Sequence, residues 1–134
     1  MGELRENIIA AKVVDAAYRI HRDLGPGLLE TVYQKVLSHE LEQASLRVCR
    51  EVPIGIQYGE LSIEDAFRAD LIVEDCLLVE LKSVETLQPV HRKQVTTYLK
   101  LTQLRLGLLI NFGSSLIKNG LERIVNNLPE DRGT

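Results

Sequence analysis

The stretch FRADLIVEDCLLVELKS, from Phe67 to Ser83, decides the fold of this 134-residue chain. It contains two runs of leucine and β-branched residues separated by a short acidic segment, which is typical of two strands joined by a turn. Asp70 lies in the first run, and Glu80 and Lys82 lie in the second. Burial disfavours the ionised form of a side chain, so these three residues need partners or a bound cation.

The length of the turn decides whether the three charged residues share one face of the hairpin. Glu80 and Lys82 are two residues apart in a strand and therefore point to the same side. Asp70 joins them only if the loop is odd in length or a bulge intervenes, because a two-residue turn would put Asp70 behind the sheet. With a three-residue loop, the opposite face is entirely apolar: Ala69, Leu71, Val73, Leu77, Val79 and Leu81. This separation favours the odd register, in which Arg68, Asp70 and Ile72 share a face with Leu78, Glu80 and Lys82.

Two carboxylates beside an ammonium group suit phosphodiester hydrolysis. Mg²⁺ binds through one or two carboxylates and leaves its other positions to water and substrate phosphate. Such an ion activates a bound water, and a lysine can orient that nucleophile or neutralise developing charge. The competing interpretation is a buried ion pair between Lys82 and Asp70 or Glu80 with no catalytic role. The three residues alone leave both interpretations open.

The same residues resemble a known family. Asp70 followed by Glu80-Leu81-Lys82 is similar to the motif of the PD-(D/E)xK phosphodiesterase superfamily, with Arg68-Ala69 where a proline would precede the aspartate. Upstream, GLLETVY from Gly27 to Tyr33 matches the signature of the GxxExxY proteins, a small prokaryotic family within that superfamily. The match continues through VELKS, the Gln94-x-x-x-Tyr98 segment and NFG at positions 111–113, so it covers nearly the whole chain.

This resemblance implies a restriction-endonuclease-like fold and assigns roles to several side chains. It implies Mg²⁺, or Mn²⁺ in its place, as the cofactor and nucleic acid, DNA more than RNA, as the partner. The implied metal ligands are Glu30, Asp70 and Glu80; the implied catalytic residues are Asp70, Glu80, Lys82 and Gln94; and the implied substrate-binding residues are Arg68, His91 and Tyr98. Simpler roles remain open for some of them. Glu30 could serve only the dipole of its helix, and Gln94 and Tyr98 could only pack against a strand.

Periodicity and turn signals place these residues on an α/β framework. The predicted elements are helices at 6–23, 28–44 and 89–101, strands at 46–58, in the central hairpin and at 104–112, and a short strand pair at 114–125 turning at Asn119-Gly120. The second helix is expected to bury Leu29 and Val32 with its other apolar residues. Pro53 predicts an edge or bulged position for the first strand. The order ααβββαβ, plus a short C-terminal β element, predicts a mixed sheet flanked by helices.

Composition predicts one compact domain spanning 1–134, with 45% hydrophobic and 26% charged residues. Cys49 and Cys76 match no metal-binding spacing, which favours a reduced cytoplasmic setting. The start MGELRENIIA has no hydrophobic signal region, and no apolar run reaches the roughly 20 residues of a membrane span. We therefore expect a cytoplasmic protein with no membrane association.

Net charge separates the functional hypotheses less clearly. A formal charge of −3 argues mildly against a protein that grips a long stretch of nucleic acid, although the C-terminal half has a basic bias.

The first hypothesis is a Mg²⁺-dependent nuclease, and the second is a catalytically inactive module of the same fold that acts in interaction or assembly. An unrelated small α/β ligand-binding protein would require the motif matches to be accidental. Because nucleases acting on two strands often pair their sites by two-fold symmetry, a homodimer is expected.

Overall fold

The computed structural model describes residues 3–129, which form an α/β fold with a five-stranded sheet. The helices are α1 (Arg5–Leu24), α2 (Glu30–Gln43) and α3 (Pro89–Thr102), and the strands are β1 (Val48–Tyr58), β2 (Leu61–Val73), β3 (Leu77–Lys82), β4 (Leu106–Asn111) and β5 (Leu121–Val125), with a 3₁₀ turn at Ile117–Gly120. The predicted order ααβββαβ with a C-terminal β element is confirmed. No helix within 3–129 is both long and apolar enough to cross a membrane.

The sheet is mixed, as predicted. Its strand order is β1-β2-β3-β4-β5, and β3 and β4 are parallel whereas every other neighbouring pair is antiparallel. A parallel pair requires a crossover, and α3 supplies it between β3 and β4. Pro53 lies in β1 at the edge of the sheet, where a missing backbone donor costs least.

Helices cover both faces of the sheet and create two apolar clusters. On one face α1 and α2 pack against the sheet, in a cluster that includes Val13, Leu37 and Leu71. On the other face α3 packs against it, in a cluster that includes Leu78 and Leu99. Every residue of β4 is buried, which explains why its sequence is apolar without alternation.

The central hairpin has the odd register that the sequence favours. Leu71 pairs with Val79 and Val73 pairs with Leu77, which leaves a three-residue loop at 74–76. Glu74 and Asp75 take left-handed backbone conformations in this loop, with φ angles of 51° and 57°. Asp70 and Glu80 therefore face each other across the hairpin.

Along β2, the side chains that face α1 and α2 and those that face α3 change places at Asp70, which the sequence did not predict. Ala69 packs in the cluster under α3, although strict alternation places it with Leu71 under α1 and α2. The neighbouring strand makes the same exchange at Glu51, a non-glycine residue with a φ of 51°. The prediction of one continuous apolar face was therefore wrong at Ala69, because regular alternation fails where a strand backbone turns left-handed.

Two further predictions were wrong. Leu29 is 72% exposed and Val32 is 37% exposed, because α2 begins only at Glu30 and turns a different face to the core, burying Gln34 instead. Residues 114–125 form a 3₁₀ turn and one strand rather than a strand pair. The open edge of β4 offers β5 a full antiparallel ladder, which leaves no second strand to form.

Candidate active site

The backbone hydrogen-bond ladder between β2 and β3 ends before Asp70 and Glu80. At these two residues the side-chain carboxylates accept the backbone N–H groups instead. Regular pairing between β2 and β3 extends no further than Leu71 and Val79. Beyond it, the backbone N–H of Asp70 donates to Glu80 Oε1 at 3.1 Å, and the backbone N–H of Leu81 donates to Asp70 Oδ2 at 2.8 Å. The two carboxyl groups are thus held side by side by the backbone of each other's strand.

This carboxylate pair is electrostatically strained. Burial, followed by the charge of Asp70, raises the pKa of Glu80 to about 8. Burial also raises the pKa of Asp70, against the hydrogen bond from Leu81 that lowers it. Near neutral pH the pair therefore favours sharing a proton or binding a cation over carrying two bare charges.

Lys82 lies near the carboxylate pair but does not close it. Its charge lowers the pKa values of both carboxyl groups, which places its ammonium group within electrostatic range. Among residues 3–129, however, it forms no ion pair with a carboxylate. The interpretation of a closed structural ion pair at Lys82 is therefore not supported.

Helix α3 brings an aromatic pair to the same place. Tyr98 stacks on Phe67 of β2, with ring centroids 3.8 Å apart and nearly parallel planes. Burial raises the pKa of the Tyr98 hydroxyl, and the charges of Glu80 and Asp70 raise it further. The predicted site residue Tyr98 is therefore brought beside the carboxylates, on a platform that Phe67 provides.

Three other predicted residues lie outside this contact network. Gln94 is exposed one turn before Tyr98 and makes no side-chain hydrogen bond within 3–129. His91 has a local partner, because its Nδ1 accepts the backbone N–H of Gln88 at 3.0 Å and caps α3. Arg68 is exposed on β2, opposite Pro53. Their roles toward substrate stay predictions.

Glu30 is also not in contact with the carboxylate pair. It is the exposed first residue of α2, and it borders a depression that Ser83, next to Lys82, lines from the other side. Within 3–129 no three acidic, histidine or cysteine side chains converge closely enough to form a metal site. The helix dipole is sufficient to account for a glutamate at this position, so its role as a metal ligand stays a prediction.

The loop before Glu30 is fixed to the end of β3. The Tyr33 hydroxyl donates to the carbonyl of Gly25 and accepts the backbone N–H of Leu28, and the hydroxyl of Ser83 donates to the Leu28 carbonyl at 2.6 Å. Tyr33 itself is held by stacking on Phe112. The GxxExxY residues therefore position the start of α2 relative to the strand that carries Glu80 and Lys82.

Sequence reasoning missed Glu51 of β1. Its carboxylate accepts a hydrogen bond at 3.2 Å from Gln34 of α2, and its charge raises the pKa of Asp70. The tight turn pairs Tyr58 with Leu61, and by that register alone Glu51 would face Arg68. A register shift between Ile54 and Ile56 moves β2 by two residues and brings Glu51 opposite Asp70 instead. Gly55 stands at this shift, and an isolated glycine inside a strand pattern is a sequence signal of a bulge.

The donor set at this site suits a hard divalent cation. Asp70 and Glu80 supply two carboxylates, which is the usual protein contribution to a Mg²⁺ site completed by water and phosphate oxygens. The two carboxylates repel each other, and no ion pair among residues 3–129 relieves this repulsion, which adds a reason to bind a cation. The residues present therefore fit the cation that the resemblance implies.

A comparison with protein families agrees with this geometry. A family model described as the PD-(D/E)XK nuclease superfamily matches residues 7–124, which include the whole hairpin and α3. Comparisons with curated proteins and with solved structures found no match. Since the family model covers most of the chain and the sheet has the order that the resemblance implies, the chain belongs to the PD-(D/E)XK nuclease superfamily.

Proposed function

We propose that this protein is a Mg²⁺-dependent nuclease that hydrolyses phosphodiester bonds of nucleic acid, with DNA as the preferred substrate and Mn²⁺ as a substitute cation. The observation that carries the proposal is the carboxylate pair of Asp70 and Glu80, side by side and without an ion-pairing cation among the described residues. A protein without use for this pair would gain stability by neutralising it. Superfamily membership supports nucleic acid as the substrate.

Each side chain of the site has a role in this proposal. Asp70 and Glu80 would hold the cation, which when bound lowers the pKa of a water molecule and polarises the phosphate. Lys82 orients the attacking water or stabilises the charge that develops on the phosphate. Tyr98, which stacks on Phe67 beside the pair, and Gln94, one turn before it on α3, position the substrate, with Arg68 and His91 as further contacts. Glu30 completes the ligand set from α2.

The finer assignments belong to the same proposal. The GLLETVY segment supports membership of the GxxExxY family, and its contacts with Ser83 suit a glutamate that serves the site. We propose that 1–134 is one domain, that it works in the cytoplasm with both cysteines reduced, and that it pairs as a homodimer. Cys49 and Cys76 are both free thiols, as this setting requires.

A cleavage assay tests the proposal directly. Duplex, single-stranded and branched DNA and matched RNA are incubated with the protein in Mg²⁺, in Mn²⁺ and in EDTA. We expect cleavage in either cation, none in EDTA, and none by Asp70→Asn, which keeps the size of the side chain but removes its charge. If no substrate is cleaved by a folded wild-type protein in either cation, the nuclease proposal fails and the inactive interaction module remains.

A further inference from the structure

A polar groove runs between α2 and β1 and includes Glu51, the residue that lies opposite Asp70 in the β1–β2 register. Its lining residues are Thr31, Gln34 and Lys35 from α2 and Arg50 and Glu51 from β1, around a volume of about 620 Å³. Of these residues, only Glu51 is linked to the acidic site above, through the effect of its charge on Asp70. The groove is therefore an additional surface that approaches the site from the edge of the sheet.

The cations of this groove are not used by the fold. Six of the nine arginines in 3–129 form ion pairs with carboxylates, and Arg50 is not one of them. Lys35 likewise forms no ion pair within that range, and both side chains are exposed. The fold pairs most of its arginines but leaves this groove with two open positive charges.

The groove is aligned with the site through the β1–β2 ladder. Arg50 pairs with Leu71, the residue next to Asp70. Glu51 lies between the groove and the site: it lines the groove, and its charge raises the pKa of Asp70. Gln34, itself only 7% exposed, fixes the Glu51 carboxylate with a hydrogen bond of 3.2 Å. The groove therefore adjoins the segment of the sheet that carries Asp70.

The chemistry of the groove selects the ligand. Acidic groups at the site repel phosphate, so a substrate needs positive charge alongside them to remain bound. A lysine provides a compact point charge and an arginine a planar fork, and both are standard partners of phosphate oxygens. An acidic protein with a net charge of −3 needs such contacts to be local rather than spread over its surface.

We infer that this groove binds the sugar-phosphate backbone of nucleic acid next to the bond to be cleaved, with Lys35 and Arg50 each neutralising one phosphate. The inference rests on the proposed nuclease function and extends it to a strand path outside the catalytic residues. Binding through phosphates is independent of sequence, so the groove supplies affinity and position rather than base recognition.

Salt dependence of binding tests the inference. Binding of a fluorescein-labelled DNA duplex is measured by fluorescence anisotropy in Mg²⁺, in an Asp70→Asn background that does not cleave, over a range of salt concentrations. Each lost phosphate contact lowers the slope of log affinity against log salt by about 0.9. We expect the double variant Lys35→Ala/Arg50→Ala to lose about 1.8 from the slope and to bind at least about tenfold more weakly at 0.1 M salt.

A matched control separates the groove from net charge. Lys12→Ala/Lys118→Ala also removes two positive charges, from exposed lysines of α1 and the 3₁₀ turn. We expect it to keep the parent slope, and Lys35→Arg/Arg50→Lys to keep most of it. Thermal unfolding checks that every variant is folded.

The possible failures can be told apart. An unchanged slope in the groove variant, with wild-type cleavage intact, overturns the groove inference and leaves the nuclease proposal standing. Equal losses in both double variants show an effect of overall charge and also overturn it. If the wild-type protein neither binds nor cleaves any nucleic acid, the function and the groove inference fail together.

Discussion

At the scale of single residues, the main feature of the site is that the charges of the Asp70 and Glu80 carboxylates are not neutralised by an ion pair among residues 3–129. Asp70 and Glu80 are fixed by backbone hydrogen bonds, yet the nearest lysine forms no ion pair with either. A buried pair of carboxylates without a counter-ion destabilises a protein, and such strain concentrates at functional sites. The carboxylate pair is therefore better explained by the proposed binding of a cation than by a contribution to the stability of the fold.

Lys82→Ala separates a catalytic lysine from a structural one. Because Lys82 forms no ion pair within 3–129, we expect the free energy of unfolding to change by less than about 1 kcal/mol. A lysine that closed a buried ion pair would instead cost about 3–5 kcal/mol on removal. Cleavage in Mg²⁺ should fall by about 100-fold or more, since the variant loses a group that acts on the transition state. Urea denaturation and a cleavage time course measure the two effects.

Lys100→Ala is the matched control for this experiment. Lys100 is an exposed lysine near the end of α3, and its removal changes the net charge equally. It should leave both stability and cleavage near wild-type values. A loss of several kcal/mol in Lys82→Ala alone, without a loss of metal-dependent cleavage, would contradict the catalytic role.

The sequence revealed the residues of this site only in part. Asp70, Glu80 and Lys82 stand out because charges are rare inside apolar strands, and the three-residue loop follows from the apolar face that it preserves. Glu51 does not stand out, because its approach to Asp70 depends on a shift in ladder register far along the strand. Gly55 marks the place of this shift, but its size and direction are decided by pairing with β2, which local patterns do not encode.

At the scale of secondary-structure elements, the end of β4 holds the loop that follows β3. The buried amide of Asn111 accepts the backbone N–H of Val84 at 2.9 Å and donates to its carbonyl at 2.8 Å. Ser83, the preceding residue, contacts the start of α2. The NFG segment therefore fixes the loop that leads from Lys82 toward α3 and that contacts Leu28, just before α2. The strand that holds this loop carries none of the charged residues of the site.

Gly113→Ala tests this connection. A Cβ at position 113 would lie 2.2 Å from the carbonyl oxygen of Val84 and 2.6 Å from its nitrogen, so backbone must move. We expect a loss of about 3 kcal/mol in the free energy of unfolding, at the upper end of the usual cost of overpacking. Cleavage should fall further than the folded fraction alone explains, because the displaced loop adjoins Lys82. Chemical denaturation and activity per folded molecule measure these effects.

Gly59→Ala provides the comparison for Gly113→Ala. Gly59 lies in the β1–β2 turn with a φ of 59°, and an added Cβ there would meet nothing within 4 Å. Its substitution should cost only the left-handed backbone preference, about 1 kcal/mol, and leave activity per folded molecule unchanged. Equal effects of the two substitutions would mean that the contact with Val84 is not important.

Helices and strands were predictable where the spacing of apolar residues repeats regularly over many positions. The three helices and four of the strands follow from apolar spacing, and glycine and proline mark their ends. The segment 114–125 was predicted as a strand pair, but β5 pairs with the open edge of β4 instead. Pairing with a strand outside the segment cannot be read from the local sequence. The exposure of Leu29 was missed because α2 begins at Glu30, two residues later than predicted, which leaves Leu29 outside the helix.

At the scale of the whole molecule, the carboxylate pair links stability to pH and to cations. A carboxyl group whose pKa is raised in the folded state binds its proton more tightly there than in the unfolded chain. It supports stability fully below the unfolded pKa near 4.5, and that support is lost as pH rises toward the folded pKa of about 8 for Glu80. Glu6 and Glu74 have lowered pKa values, so their opposite effect falls below about pH 4.5 and does not overlap this window.

The stability of the wild-type protein in EDTA should therefore fall between about pH 5 and pH 8. At most about 5 kcal/mol is at stake, because each pKa unit corresponds to about 1.4 kcal/mol and the repulsion between two coupled groups is shared. Mg²⁺ should restore stability mainly at the upper end, where the pair is deprotonated and free to bind it, by about 2.7 kcal/mol at 100 times the dissociation constant. Glu80→Gln should show a smaller fall and a smaller restoration, since it removes one of the two groups that titrate, leaves Asp70 with its pKa raised by burial, and preserves an oxygen that can accept the Asp70 N–H. Urea denaturation of the wild-type protein and of Glu80→Gln at pH 5, 6.5 and 8, each with and without Mg²⁺, measures these effects. A wild-type protein whose stability is flat over this range and unaffected by either Mg²⁺ or Mn²⁺ would show that the pair neither titrates nor binds a cation, and Asp70 and Glu80 would then have no part in catalysis.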